Sequence, residues 1–185
     1  MYDLHSILIQ LKKEDTPLHG VMVRCVRCFY QWLAPTLWEG SALFELWAQE
    51  LELIYGDLRQ RLSPNAKTDA GSLGDRFGFD TPPELPRLLQ SIQTFYSVLI
   101  KLIAWNTLRG ATPEPPLTEL LSGRAFVNRG IRNFCGDDWY IWPLDIWDPA
   151  LETQCEELRA CLGTFDTCPE GSTHSPDSLS RIYET

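Results

Sequence analysis

The chain has 185 residues, 44% of them apolar, with seven Trp, six Tyr and eight Phe, and this rules out general disorder while suiting one domain with a real core. Its net charge is −9, and only 16 Lys and Arg are scattered among 25 Asp and Glu. Neutralising a phosphate backbone takes clustered cations, so the charge argues against independent binding to nucleic acid, and any such role is expected to be indirect or confined to a small patch.

Leu4, Ile7, Leu8 and Leu11 recur at helical spacing, Lys12 to Asp15 turn polar, and Pro17 ends a short amphipathic helix with one face free to dock. Asp3 and the lack of a small-residue cleavage site behind a basic start argue against a signal peptide. A cytoplasmic protein is the expectation. Val21 to Leu33 is apolar apart from Arg24, Arg27 and Gln31, which share one helical face, so Cys25 and Cys28 point to the buried side. They read as small buried hydrophobes. The competing reading, half of a zinc site, would need Cys161, Cys168 and His174 to complete it, because no second closely spaced pair follows. The six cysteines are expected to be reduced thiols.

After Pro35, a helix is expected that opens at Gly40 or Ser41 and ends before Pro64, with Phe44, Trp47, Leu51, Ile54, Tyr55, Leu58 and Leu62 on its apolar face. The connection that follows is rich in Gly, Pro and Asp. It is too long to be structureless in a compact domain, so it either hides a short helix near Ser72 to Phe77 or is mobile, with Leu73, Phe77 and Phe79 able to tack it down. Its glycines form neither a P-loop nor a GxGxxG cradle.

Leu85 to Arg109 is the strongest element, a helix whose apolar stripe nearly wraps the cylinder and around which the rest is expected to pack. Thr81 with Glu84 predicts a capping box at its start, and Gly110 and Pro113 end it. A polar seam, Gln90, Thr94, Ser97 and Lys101, runs along one side. Lys101 is read as a stem lying on apolar surface with its amine in water, the alternative being a buried cation paired with a carboxylate. The most apolar window, Thr94 to Leu108, contains Lys101 and falls short of the roughly 20 residues a bilayer needs, so no membrane is expected.

A Pro-rich spacer leads to a short helix, Leu117 to Leu121, stopped by Gly123. The run from Arg124 to Asp148 then packs Trp139, Tyr140, Trp142 and Trp147 beside Asp137, Asp138 and Asp145. Two readings compete: carboxylates for a divalent metal with aromatics for stacking, or a core-capping segment in which Asp137 and Asp138 cap helices. The second is preferred, and Asp137, Asp138, Trp139, Tyr140, Trp142 and Trp147 are its partner-facing residues. Ala150 to Leu162, closed by Gly163, is a further amphipathic helix with Leu151, Cys155, Leu158 and Cys161 or Leu162 inward. A terminal turn follows Asp177. The fold expected is all-α, an irregular bundle of about five to seven helices around the 85–109 helix, with residues 1–37 docked on a helical body of residues 38–185.

Three segments carry a resemblance: WEGSALFELWAQELELIYGDL, LPRLLQSIQTFYSVLIKLIAWNTLRG and SGRAFVNRGIRNFCGDDWYIWPLDIWD. In content, order and spacing, from about Trp38 to Thr185, they resemble the helical region upstream of the catalytic domain in large adenine-specific DNA methyltransferases of restriction-modification systems, of the fused, type IIG-like kind. Such proteins place a cofactor-binding glycine motif and an Asn/Asp-Pro-Pro-Tyr/Phe motif downstream, where methyl donor and flipped adenine meet. The nearest strings here are TPPE at Thr81 to Glu84 and WDPA at Trp147 to Ala150, both without the aromatic. Hence no catalytic, cofactor or metal residue is carried over. The resemblance implies a non-enzymatic connector, a truncated or split piece whose partner is a methyltransferase domain or subunit. From the charge alone, a different class stands beside it: an acidic protein-binding factor in phage defence or anti-restriction.

Overall fold

Helix boundaries in this chain are set by its Pro, Gly, Thr and Asp residues, and most of them are visible in the backbone hydrogen bonds. A computed structural model describes residues 4–33, 46–47, 49, 73–108, 112–135 and 140–165. The architecture is an irregular all-α bundle, with no strand among the described residues.

Helix α1 (Leu4–Lys12) leads into α2 (Pro17–Trp32). The second helix starts a full turn before the expected Val21, because Thr16 Oγ1 accepts from the His19 N–H at 3.2 Å and Pro17, with no N–H to lose, takes the first helical position. Helix α3 (Leu85–Leu108) follows the connection, then α4 (Leu117–Leu121), α5 (Arg124–Val127), a 3-10 turn at Trp142–Leu144 and α6 (Pro149–Gly163). Of these, α2 packs most extensively on α6, then on α3, and it also covers α1. Leu18, Val21, Met22, Cys25, Val26 and Phe29 are buried along it, an arc broad enough to face several neighbours at once. Among the described elements α2 and α3 together face most of the others, and the architecture is the all-α bundle expected around the 85–109 helix.

The expected capping box does not form at the start of α3. Glu84 is the residue before the helix, its carbonyl accepting from the Leu88 N–H at 2.9 Å and its own N–H donating to Tyr30 Oη at 3.0 Å. Thr81, Pro82 and Pro83 lie ahead of it in irregular backbone. At 24 residues, α3 is long and apolar enough to cross a membrane by length and composition. Its most apolar window is 67% buried against this chain, as in the core helix of a bundle. Leu88, Phe95 and Leu99 are wholly covered, each worth about 1.5–3 kcal/mol when removed from water.

The short helix expected near Ser72 to Phe77 is present as a turn over residues 73–76. Phe77 is buried behind it, Phe79 meets Tyr30 edge-on with centroids 4.8 Å apart, and Arg27 Nη1 donates to the Gly78 carbonyl at 2.9 Å. Aromatic and charged groups of α2 thus fasten this part of the connection. On the far side, Arg24 and Glu157 join α2 to α6 at 2.9 Å, a half-exposed pair of modest worth.

Gly123 ends α4 and starts α5 with φ of +78°, and a Cβ there would lie 1.9 Å from the Phe134 carbonyl oxygen. Only glycine fits both demands. Asp148 opens α6, its Oδ1 accepting from Ala150 N–H at 2.8 Å and Leu151 N–H at 2.9 Å. Leu151, Cys155, Leu158 and Leu162 are fully covered on the inner face. Of the helix expected to open at Gly40 or Ser41 and end before Pro64, Leu46, Trp47 and Gln49 are helical. Its remainder, the turn after Asp177, Cys168 and His174 lie outside the described residues.

Candidate functional site

The aromatic run and the polar seam of α3, separate features in the sequence, meet in the fold. A helix that is apolar nearly all round leaves its polar side chains facing other helices, and buried polar groups require partners. Gln90, Thr94 and Lys101 are 1%, 0% and 3% exposed, so these three point inward and not to water, while Ser97 is half-buried. The expectation for Lys101 is corrected accordingly. Its ammonium is inside the protein and donates at 2.8 Å to the carbonyl of Leu121, at the C-terminal end of α4 where carbonyl dipoles favour a cation.

About two turns nearer the start of α3, at Gln93 and Thr94, the helix receives the aromatic segment. Trp142 Nε1 donates to Thr94 Oγ1 at 2.9 Å, and the same hydroxyl donates to the Gln90 carbonyl one turn back at 2.8 Å. Gln93 Oε1 accepts twice, from Tyr140 Oη at 2.9 Å and from Trp47 Nε1 at 2.8 Å, which uses both lone pairs of the amide oxygen. Phe29 of α2 stands edge-on to Trp142, centroids 5.8 Å apart. Two segments, the aromatic run and the helical residues at Trp47, are joined to α3 by the N–H and O–H tips of their rings.

Trp142 is 8% exposed and bound inward, so it belongs to the core and not to a partner-facing surface. Tyr140 and Trp147 are half-buried. Asp137, Asp138 and Trp139 lie outside the described residues. Asp145 is exposed, and among the described residues no three His, Cys, Asp or Glu side chains gather in a way that could hold a metal. The carboxylate with a clear duty is Asp148, which caps α6 and is not among the residues singled out from the sequence. An Asp directly before Pro and an amphipathic stretch was the available signal.

Thiols form a second cluster, between α2 and α6. Cys25 Sγ lies 3.4 Å from the Gln154 carbonyl, with Cys155 and Cys28 near enough to influence it. Burial pushes the Cys25 thiol well up, with Cys155 the next cause, and raises Cys155 itself to about 12. Cys28 is raised by burial and then by Asp148, and Cys161 by burial. Thiols held protonated this way are poor nucleophiles and poor ligands, and they behave as small hydrophobes. Compared with protein-family models, curated proteins and solved structures, the chain matches none.

Proposed function

We propose that this chain is a helical scaffold that binds a protein partner, related to the connector of restriction-modification adenine methyltransferases, with any chemistry belonging to the partner. The observation that supports the reading is where the polar tips of the aromatic run go. Trp142, Tyr140 and Asp148 engage α3 and the first turn of α6, so the described part of this run holds helices at fixed positions. A segment built that way gives a neighbouring domain a stiff platform. The resemblance supplies the partner class, a methyltransferase domain or subunit, with DNA reached through it.

The alternative of an acidic decoy draws less support. Two of the carboxylates on α6, Glu156 and Glu157, pair with Arg159 and Arg24, which breaks up the row of unpaired charge that mimicry of a phosphate backbone needs. The test has two arms. Calorimetry of the chain with S-adenosylmethionine is expected to give no binding heat, and affinity capture with the full chain is expected to retain a protein bearing the Asn/Asp-Pro-Pro-Tyr/Phe motif. A micromolar isotherm with the methyl donor, or capture of a nuclease instead, overturns the proposal.

A further inference from the structure

Residues 120–136 hold three arginines and no carboxylate in a chain whose net charge is −9, and the run is bounded by Glu119 and Asp137. The fold makes it an exposed corner after α5. Phe126 is fully buried beneath, and its carbonyl accepts from the Arg129 N–H at 2.9 Å and the Ile131 N–H at 3.2 Å. Gly130, at φ of +77°, has nothing within 4 Å of where a Cβ would stand, and residues 127–130, 132 and 133 are exposed. Arg129 is fixed in place, its guanidinium 5.2 Å from the Trp105 ring centroid and donating to the Leu108 carbonyl and the Thr112 hydroxyl. Arg124, also exposed, donates at 3.1 Å to the Ser122 hydroxyl, and Arg132 has no partner among the described residues. The charges of Arg124 and Arg132 thus meet no carboxylate there, whereas Arg24 and Arg159 face Glu157 and Glu156. Two of the four exposed large hydrophobics among the described residues belong to the same corner: Val127, and Leu108, whose carbonyl Arg129 holds.

We propose that this corner docks an acidic segment of a partner protein, one that carries carboxylates beside apolar side chains. The carboxylates pair with the guanidinium forks of Arg124 and Arg132, and the apolar side chains cover Val127 and Leu108. A phosphate backbone fits less well: it has no use for exposed Val and Leu, and tight binding to it takes more cations than this corner holds while the rest of the chain repels a polyanion. A short acidic segment is turned away by the same acidic remainder and directed to the corner. Arginine among apolar neighbours is also the composition of a protein interface, and Arg129, already immobilised, adds contact area without further ordering. The inference rests on the reading of the chain as a protein-binding scaffold and adds which face binds and what it binds. The measurement below can fail while capture of the partner succeeds, and the reverse.

The test is fluorescence anisotropy of a labelled peptide composed of Asp, Glu and Leu, titrated with the full chain. Its counterparts are a peptide with Asn and Gln in place of the acids, a peptide with Ser in place of Leu, and an oligothymidylate of the same length. The acidic peptide is expected to bind saturably, with a Kd of about 100 μM or tighter in low salt, and to weaken as salt is raised. Arg124→Gln combined with Arg132→Gln is expected to weaken it about tenfold and Val127→Ser about threefold, and because all three positions are exposed the helical circular dichroism is retained. No saturation, equal binding of the neutral or the Ser peptide, tighter binding of the oligothymidylate, or unchanged affinity in the arginine double variant overturns the proposal.

Discussion

Gly123 and Gly130 form a matched pair for testing how tightly the segment after α4 is built. Their φ angles are +78° and +77°, so an alanine at either pays the same penalty for left-handed backbone, about 1 kcal/mol. Around Gly130 an added Cβ meets nothing within 4 Å. At Gly123 it meets backbone only: the Phe134 carbonyl oxygen at 1.9 Å and carbon at 2.4 Å, and the Cys135 nitrogen at 2.9 Å. Ordinary carbon–oxygen contacts are about 3.3 Å or longer, so residues 134–135 must retreat by more than about 1 Å. That movement draws Phe134 away from Phe126, whose ring is 4.5 Å from it and whose side chain is fully buried. Strain and lost packing together predict about 3 kcal/mol or more for Gly123→Ala, against about 1 kcal/mol for Gly130→Ala. Urea unfolding followed by helical circular dichroism measures both. Equal losses at the two sites would refute the close approach and the packing argued from it.

Alkaline pH should destabilise the fold through the buried thiols. For Cys155 the folded value of about 12 lies above the ordinary 9.0, so on raising the pH the unfolded chain loses its proton first. Stability is full below pH 9 and falls between 9 and 12 by about 1.4 kcal/mol per pH unit for this group. Cys25 adds to the same trend, so Cys155→Ala should lower the slope of unfolding free energy against pH without abolishing it; an unchanged slope contradicts the burial. Asp148→Ala, which leaves two amides at the start of α6 uncapped, should cost about 1 kcal/mol in the same assay, with Asp148→Asn recovering most of it. A double-mutant cycle on Arg24 and Glu157 should give a coupling below about 0.5 kcal/mol, since both side chains are half exposed. A coupling above 1 kcal/mol would mean the pair is far better shielded than its exposure implies.

Periodicity alone identified α3 and α6 nearly to their ends, because both have long apolar stripes bounded by Pro and Gly. The start of α2 is not legible in this way, because Pro17 suits the end of one helix and, after Thr16, the first position of the next. The setting of Lys101 is hidden for a different reason: a cation within an all-round apolar helix has no preferred side until the position of α4, and with it the Leu121 carbonyl, is fixed. The meeting of Gln93 and Thr94 with Tyr140 and Trp142 joins positions nearly fifty residues apart, and spacing rules carry no information at that range. A hint was present in the composition. A polar seam needs partners and indoles bring N–H groups, so pairing the two was a legitimate inference from the chain itself.

The aromatic run is fastened inward, to α3, by the polar tips of Tyr140 and Trp142. A double-mutant cycle on Trp142→Phe and Thr94→Val tests it most directly, since each change keeps the ring or the branched shape and removes one half of the 2.9 Å hydrogen bond. A coupling of about 1 kcal/mol or more, with each single variant clearly destabilised, is the predicted result. Additive effects, or single variants as stable as the parent, would contradict it.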